Sequence, residues 1–382
     1  MNRRIMLLLL LLLPALTSCW DMNEAERMLY INGIGIDYKD GQYELYAQII
    51  NFANIAKSEQ PPPDGAQAEV GRASGMTLDE AIFKLYHSVD QKVYWGHLSY
   101  LVVSEEAMKQ VKMSPVIDLF IRFRETRYQI WVYTTQDSIV DLLLVRPVVN
   151  KAIILSKLGD PENSYEQESF VMPLDFRKLI IGMNEPGHEA HIPLITIEEN
   201  WTSIKETIKA PVLTGVGVVT PDGFKGYIKG ENARGIQWMS NETKRGEVTI
   251  ETDDGNHMNV VIDQVKVKIE PHIENGQARF DIDVSLGGNI SNIVGDVTPR
   301  QIKEWVRKEV EKEIRTTFEE ALKLNSDIYG LTEQLYRKDV KAWKRFEKKG
   351  RIELTADSIR KLDITVEKLK SNRKAYEETI ER

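Results

Sequence analysis

The sequence is poor in cysteine and in long apolar segments. Its 382 residues include a single cysteine, Cys19, so no disulfide can form within the chain, and the fold must depend on burial and hydrogen bonding. Beyond the N-terminal segment, no uninterrupted apolar run approaches the roughly 20 residues that a membrane-spanning helix needs. The run 142–145, for example, is bounded by Asp141 and Arg146. The sequence therefore excludes a disulfide-stapled scaffold and predicts no membrane-spanning helix in the mature chain.

Positive charge is in deficit. The chain has 50 Lys and Arg residues against 58 Asp and Glu residues, which gives a formal net charge of −8. Nucleic-acid backbones and anionic headgroups are bound by basic surfaces, so this balance argues against nucleic acid as a partner and against anionic surfaces as general partners. Local basic patches stay compatible with the overall charge.

Motifs of the common enzyme classes are also missing. The sequence contains no Walker A motif, no nucleophile elbow and no His-Glu-x-x-His motif. Gly33 and Gly35 lack the third glycine of a dinucleotide fingerprint and lead into a turn, so we expect them to relieve crowding within a strand. A Ser-His-Asp grouping from distant segments stays open, but no catalytic residue and no cofactor is predicted.

Two clusters deserve consideration as metal sites. His188 and His191 have ligand-like proximity, but in the predicted strand 188–199 their spacing would point the two rings to opposite faces. The acidic stretch 251–255 lacks the spaced pattern of a calcium loop and is interpreted as a solvated turn. No metal site is predicted.

The N-terminus carries the strongest signal. Arg3 and Arg4 precede the apolar run 5–13, and Leu16-Thr17-Ser18-Cys19 follows. This order is typical of a bacterial lipoprotein signal peptide, residues 1–18, whose removal leaves a diacylglyceryl-modified Cys19 as the mature N-terminus. The alternative is a free cysteine within an ordinary secretory signal. Two acyl chains, for example palmitate, hold a protein to a bilayer, so the sequence predicts a lipid-anchored protein on the extracytoplasmic face.

Residues 19–205 are predicted to form an N-terminal domain in which strands and helices alternate. Residues 31–37 and 43–50 should pair around Asp40-Gly41, and Thr77 should cap an amphipathic helix. Further elements are expected as strands at 98–103, 128–134 and 188–199, with helices opened at Ser114-Pro115 and near Ser138. The polar stretch 198–203 is the predicted domain boundary.

Residues 206–382 are predicted to form a C-terminal α+β region, with a division into two lobes near residue 256. A hairpin is expected from 212–219 and 224–229. A second, around Asn275-Gly276, should pair Ile269 with Ile282, Val267 with Val284 and Val265 with Leu286. Then follow a long helix from Thr298-Pro299 with an apolar stripe that includes Trp305 and Phe318, a helix over 331–346, and a strand over 362–369. The predicted class is α+β, multi-domain, with mixed sheets, packed helices and three lobes.

Two groups of residues are candidates for partner binding. Trp95 and His97 lie in the aromatic segment Tyr94-Trp95-Gly96-His97, which packing alone also explains, and whose glycine suggests a position without room for a side chain. Arg122, Glu125 and Arg127 form a charged series at a predicted helix end, where cations are favoured for local reasons too.

An ordered set of motifs resembles the Ger(x)C family of spore germination lipoproteins. These are Cys19-Trp20-Asp21, Gly33-Ile-Gly-Ile-Asp37, Thr77-Leu78 with Glu80-Ala81, Tyr94-Trp95-Gly96-His97, the series Arg122, Glu125 and Arg127, Gly215-Val216-Gly217-Val218, Asp327-Ile-Tyr-Gly330 and Trp343. The chain departs from the family at Phe123 and Arg124, where Asp-Pro is common, and in lacking a second tryptophan after Trp343.

The resemblance implies a three-domain α+β fold and a non-enzymatic subunit of a nutrient germinant receptor in the inner spore membrane. It further implies assembly with a transporter-like, multi-spanning subunit and with another membrane subunit. Two other interpretations share some of the sequence features. A solute-binding lipoprotein of an uptake system should have a ligand cleft between two similar lobes, and a surface hydrolase should gather titratable residues in a pocket.

Overall fold

The computed structural model describes residues 27–50, 67–110, 113–122, 128–204, 207–220, 222–252, 255–291 and 297–371. Within them the chain forms a large mixed sheet and a smaller four-stranded sheet. The large sheet contains β1 (Met28–Lys39), β2 (Gln42–Ile50), β3 (Ala68–Gly75), β4 (Lys92–Tyr94), β5 (Tyr100–Ser104), β6 (Trp131–Thr135), β7 (Ala190–Thr202), β8 (Thr207–Thr220) and β9 (Gly223–Lys229). Its helices are α1 (Leu78–Tyr86), α2 (Glu105–Gln110), α3 (Met113–Arg122), α4 (Ile139–Leu144), α5 (Pro161–Gln167) and α6 (Phe176–Asn184).

The centre of the large sheet is parallel and its two sides are antiparallel. The strand order is β3-β2-β1-β5-β6-β7-β8-β9, with β4 paired to the first residues of β1. Because β1, β5 and β6 are parallel, their first residues Met28, Tyr100 and Trp131 lie toward the same end of the sheet. We call this end, where the parallel strands begin, the strand-start edge. The predicted hairpin of β1 and β2 is confirmed, with Asp40 and Gly41 in the left-handed conformation at its turn.

Both faces of the large sheet are covered. One apolar cluster joins Ile34 and Leu101 of the sheet to Ile82 of α1, Phe120 of α3 and Phe176 of α6. A second cluster on the opposite face packs side chains of α4 against the ring of Tyr100. As predicted, Thr77 caps α1, and its hydroxyl accepts a hydrogen bond from the Glu80 amide at 3.1 Å.

The glycines of β1 are required by crowding, as the sequence analysis expected. A Cβ atom at Gly33 would overlap the ring of Tyr100, and one at Gly35 would overlap the side chain of Ile139 on α4. Tyr100 is fully buried, and its hydroxyl donates to Gln48 at 2.7 Å. The two glycines therefore let a tyrosine and a helix lie against the strand.

The smaller sheet contains β10 (Gly246–Glu251), β11 (His257–Glu274), β12 (Gln277–Ile290) and β13 (Ile359–Ser371), in that order. The predicted register of the β11–β12 hairpin is confirmed at all three apolar pairs, Val265 with Leu286, Val267 with Val284 and Ile269 with Ile282. At the turn, Asn275 and Gly276 both have positive φ, 50° and 75°, as a two-residue hairpin turn requires.

The long helix α7 (Pro299–Lys323) begins where the sequence predicts. Thr298 and Gln301 form a reciprocal capping box, with the Thr298 amide donating to Gln301 Oε1 at 3.0 Å. Val306, Val310 and Ile314 are buried in one cluster with the apolar side chains of the smaller sheet. The expectation that Trp305 lies on the buried stripe needs a correction, because its side chain lies at the margin of the stripe and is only partly buried. Phe318, by contrast, is 4 % exposed.

The single helix expected over 331–346 is two helices, α8 (Leu331–Lys338) and α9 (Val340–Phe346). Asp339 separates them because it leaves helical geometry, with φ −147° and ψ 86°, and its side chain accepts a hydrogen bond from the Ala342 amide at 2.9 Å. An aspartate that caps a new helix in this way ends the preceding one. The indole of Trp343 then packs edge-on against Tyr336.

The expected α+β class, mixed sheets and multi-domain organisation are confirmed by this architecture. Strands β8 and β9, which the sequence analysis places after the boundary at 205/206, extend the large sheet. Their residues Val216, Val218 and Ile228 also join the apolar cluster of the smaller sheet, so the two cores are continuous there. The domain limits, the division near 256 and the number of three lobes stay predictions.

Among the described residues, no helix has the length and apolar character needed to cross a bilayer.

Candidate functional site

A buried carboxylate, Glu189, joins the large sheet to the C-terminal helices. It directly precedes β7, and its side chain is 5 % exposed and forms an ion pair with Arg351. It also accepts hydrogen bonds from the hydroxyl of Ser326 at 2.7 Å and from the amide of Asp327 at 3.1 Å. Three segments that are far apart in sequence therefore meet at one carboxylate.

The pKa of Glu189 is set by opposing effects. Burial alone would raise it, but the hydrogen bond and charge of His191 and the charge of Arg351 outweigh burial, so the pKa lies below its usual range. The imidazole Nε2 of His191 lies 3.7 Å from the carboxylate. Glu189 is therefore held as an anion at neutral pH.

Asp327 is a second buried carboxylate, close to Glu189, and it forms its own hydrogen bonds to the backbone. Its two oxygens accept hydrogen bonds from the amides of Leu331 at 2.9 Å and Thr332 at 2.6 Å, in the first turn of α8. Burial raises the pKa of Asp327; the Thr332 amide opposes this shift, and the charge of Glu189 adds to it. The carboxylate thus fixes the start of α8.

Tyr329 holds the same segment against α7. Its ring stacks on Phe318 with a centroid separation of 6.2 Å, and its hydroxyl donates to the carbonyl of Ile314 at 2.8 Å. The segment Asp327-Ile-Tyr-Gly330, which the sequence analysis singled out only through the family resemblance, is therefore the connection that locks α7, α8 and β7 together.

A cleft of about 460 Å³ opens beside this connection, between α6 and β7 on one side and the 3-10 segment 230–239 with α8 on the other. Its lining includes polar side chains that pair with one another. His188 contacts Glu333 at 3.2 Å, and Lys178 lies 3.6 Å from Glu242. We call the large sheet with α1 to α6 the large unit, and the smaller sheet with α7 to α9 the small unit. Together with the Glu189–Arg351 pair, these contacts fit a site that couples the two units more readily than a site that activates a nucleophile.

The sequence pairs His188 with His191 and predicts that both lie in one strand. His188 lies before β7, and the two rings contact different carboxylates, Glu333 and Glu189. Glu189 was not among the residues predicted from the sequence, where its only signal is its position between those two histidines. Nothing local could relate Glu189 to Arg351 or to Asp327.

Trp95 is a core residue. It is 3 % exposed, and its indole N–H donates to the hydroxyl of Tyr86 at 2.8 Å. A Cβ atom at Gly96 would overlap the ring of Tyr94, which explains the glycine in this segment. Because the indole is packed inside the large unit, its effect on a partner would have to be indirect, and the packing interpretation accounts for it.

His97 differs from Trp95 in being exposed. It lies between β4 and β5 at the strand-start edge, with its ring 5.1 Å from the ring of Tyr30 and 5.8 Å from that of Tyr94, both measured between centroids. The histidine is therefore the accessible member of this aromatic segment, and its part in partner binding stays a prediction.

Arg122 is exposed at the last residue of α3. Because β5 and β6 are parallel neighbours, the chain returns to the strand-start edge through α3, so Arg122 and His97 lie toward the same edge. Glu125 and Arg127, as well as Cys19, fall outside the described residues. Partner binding by the charged series stays a prediction.

We call the contacts of Glu189 with Arg351, Ser326 and Asp327 the junction. The fold and the junction define a multi-domain α+β protein in which buried polar residues hold the two units together. Two family models match the chain, "Spore germination protein N-terminal domain" over residues 21–197 and "Spore germination B3/ GerAC like, C-terminal" over residues 214–371. The chain belongs to this family of spore germination proteins, and the resemblance drawn from its motifs is confirmed.

Similar proteins include two from Bacillus subtilis (strain 168). "Spore germination protein KC" is 26% identical over 371 residues, which cover 91% of each chain. "Spore germination protein B3" is 25% identical over 283 residues, covering 72% of this chain and 71% of that protein. Among solved structures, "Crystal Structure of the GerBC protein" matches with a TM-score of 0.52 at 17% identity, over 89% of this chain and 97% of that one, and so shares the fold.

Proposed function

We propose that this chain is a lipid-anchored, non-enzymatic subunit of a nutrient germinant receptor and is required for nutrient-triggered germination. The observation that carries the proposal is the match of both family models, N-terminal and C-terminal, across most of the chain. Relatives that align over nearly their whole length are named as spore germination proteins, which supports the same role. Its partners would be a transporter-like subunit and a further membrane subunit of the inner spore membrane.

The proposed anchor is a diacylglyceryl group on Cys19. Eight residues lie between it and Met28, where β1 begins, and nine fully extended residue steps span about 30 Å. The anchor would therefore keep the strand-start edge, with His97 and Arg122, within reach of the bilayer and of subunits embedded in it. Mass spectrometry of the membrane-extracted protein tests the anchor: an unmodified Cys19 would contradict it.

A non-enzymatic role is supported by the use the fold makes of its buried polar groups. Asp327 caps a helix, and Glu189 is neutralised by Arg351 while it accepts two further hydrogen bonds. A catalytic carboxylate would need an oxygen directed at a substrate. We assign these residues to holding the two units in one arrangement, and we propose that no cofactor and no metal are involved.

Affinity purification of the tagged protein from spore membranes tests the receptor assignment. The proposal predicts that two membrane-embedded subunits co-purify with the wild-type chain and are lost when the exposed Arg122 is changed to Glu. A matched control is Arg300→Glu, which reverses an exposed arginine in the first turn of α7. Recovery of the chain without any membrane protein would contradict the assignment.

The cleft favours a second candidate, a solute-binding lipoprotein of an uptake system. Its volume of about 460 Å³ lies within the range of small-molecule sites. The two units differ from each other, however, because one is built on a large mixed sheet and the other on four strands. A solute-binding lipoprotein should have two similar lobes. This candidate would be favoured by two results together. The protein would bind a solute, and Met239→Trp, which fills the cleft, would abolish that binding. Spores would also still germinate after deletion of the gene.

A further inference from the structure

The segment from Leu144, the last residue of α4, to Leu155 displays apolar side chains to solvent, and we call it loop 144–155. Leu144 is 42% exposed, Val149 is 71% exposed and Leu155 is 51% exposed. The same twelve residues contain two cations, Arg146 and Lys151, and no acidic residue, although the chain as a whole carries a net charge of −8. The loop therefore combines exposed apolar side chains with two cationic residues.

The tip of this loop is held in an unusual conformation. Val149 and Asn150 both have positive φ, 56° and 52°, and a β-branched residue rarely adopts that region. The buried side chain of Gln67 fixes the loop, because its amide nitrogen donates to Asn150 Oδ1 at 2.9 Å and its oxygen accepts from the Ile153 amide at 2.8 Å. The exposed position of Val149 is thus fixed by the fold, and backbone strain of this kind often occurs at functional sites.

The loop lies at the strand-start edge. Ala152 and Ile153 are buried in a small apolar cluster with Ile50, and Tyr30 packs against that cluster. Tyr30 pairs with Ile50 near the beginning of β1. The loop is therefore beside the point at which the chain arrives from Cys19.

We propose that loop 144–155 rests in the headgroup region of the bilayer that carries the Cys19 lipid. Val149 and Leu155 would contact the acyl-chain boundary, while Arg146 and Lys151 lie beside the phosphates of anionic headgroups. This inference rests on the proposed lipid anchor. It assigns the strand-start edge as the membrane-facing surface and gives the anchored protein one orientation, in which Arg122 and His97 face membrane-embedded subunits.

Site-specific fluorescence tests the contact. Cys19 is the only cysteine and would be acylated, so Val149→Cys or Leu155→Cys offers one thiol for a polarity-sensitive fluorophore. Val340→Cys on α9 is the matched control, since Val340 is an exposed valine, 41% accessible, in the other unit. The acylated protein is bound to vesicles of phosphatidylethanolamine and phosphatidylglycerol. The reference is the same chain without the signal peptide and Cys19, in solution.

The inference predicts a several-fold rise in emission and a blue shift for labels at 149 and 155 on vesicles, with quenching by lipids that carry a spin label high on the acyl chain. The label at 340 should not change. Equal responses at 149 and 340 in vesicle-bound protein would overturn the inference and leave the anchor intact. A label at 149 that is already shielded in the soluble chain would also overturn it, because another segment would then cover the loop. Failure of the acylated protein to float with vesicles would instead contradict the anchor itself, and the inference with it.

Discussion

Glu189 and Arg351 form an ion pair, with side chains 5% and 18% exposed, that joins the segment before β7 to the segment before β13. Ser326 and the Asp327 amide complete the hydrogen bonding of the carboxylate. Such a pair adds little stability over a packed apolar pair, but breaking one half leaves a buried charge without its partner. The junction between the two units therefore depends on both residues.

Removing one member of this pair should destabilise the protein strongly. Glu189→Gln or Arg351→Met is expected to lower the free energy of unfolding by about 3–5 kcal/mol, because the remaining group stays buried without its counter-charge. Urea denaturation followed by tryptophan fluorescence measures the change. Lys84→Ala, which breaks the exposed Lys84–Glu80 pair on α1, is the control and should cost less than about 1 kcal/mol. Equal losses of unfolding free energy for the two pairs would mean that the Glu189–Arg351 pair is no more important for stability than an exposed pair.

The same pair predicts a pH dependence. The pKa of Glu189 is lower in the folded state than in the unfolded state, so its contribution is present above the unfolded value of about 4.3 and is lost as the pH falls through the folded value. The difference in stability between wild type and Glu189→Gln should therefore be largest near neutrality and shrink below about pH 4. Denaturation curves across this range, fitted separately for the two proteins, show the trend. A difference that stays constant would contradict the assigned pKa shift.

Core packing of α7 gives a graded prediction. Phe318→Ala should cost about 3–5 kcal/mol, because the ring is buried and stacks on Tyr329. Trp305→Ala should cost less, since the indole is only partly buried at the edge of the stripe. Lys308→Ala, on the exposed face of the same helix, should change stability by less than about 0.5 kcal/mol. The order of the three melting temperatures decides the matter, and a larger loss at Trp305 than at Phe318 would reverse this account of the core.

The parts of the fold that the sequence predicted correctly have local causes. The caps at Thr77 and Thr298 and the register around Asn275-Gly276 depend on residues within a few positions of one another. The break at Asp339 also had a local signal, an aspartate three residues before the amide it caps, but the apolar periodicity on both sides concealed it. Trp305 lies on the predicted stripe, yet periodicity cannot tell how far the smaller sheet extends beneath it.

The junction itself could not be predicted. Glu189 contacts residues more than 130 positions away, and no spacing or composition relates such segments. The exposed apolar loop 144–155 was equally hidden, because its character depends on which side chains the cluster around Ile50 leaves uncovered. Among the partner-binding candidates, the burial of Trp95 could not be read from the sequence, because it depends on which tertiary contacts surround the indole.

Charge reversal at the strand-start edge separates recognition from stability. Arg122→Glu should abolish nutrient-triggered germination while the protein keeps its abundance and melting temperature, because Arg122 is exposed and an exposed cation contributes to partner contact and little to folding. The same loss of germination is expected for Arg127→Glu, the other cation of the charged series. Germination by routes that bypass the receptor should persist. Arg300→Glu in the first turn of α7 is the control and should leave both properties unchanged. Variants at normal abundance that germinate like wild type would remove the series from the partner surface.

The role in germination is tested most directly by deleting the gene in a strain that lacks paralogous receptors and measuring nutrient-triggered germination of the spores. We predict that the deletion abolishes the response, that the wild-type gene restores it, and that Cys19→Ala restores it poorly because the chain is not held at the membrane. Germination that bypasses the receptor should be unaffected throughout. Deletion spores that respond to every nutrient as wild-type spores do would contradict the assignment of this protein as a receptor subunit.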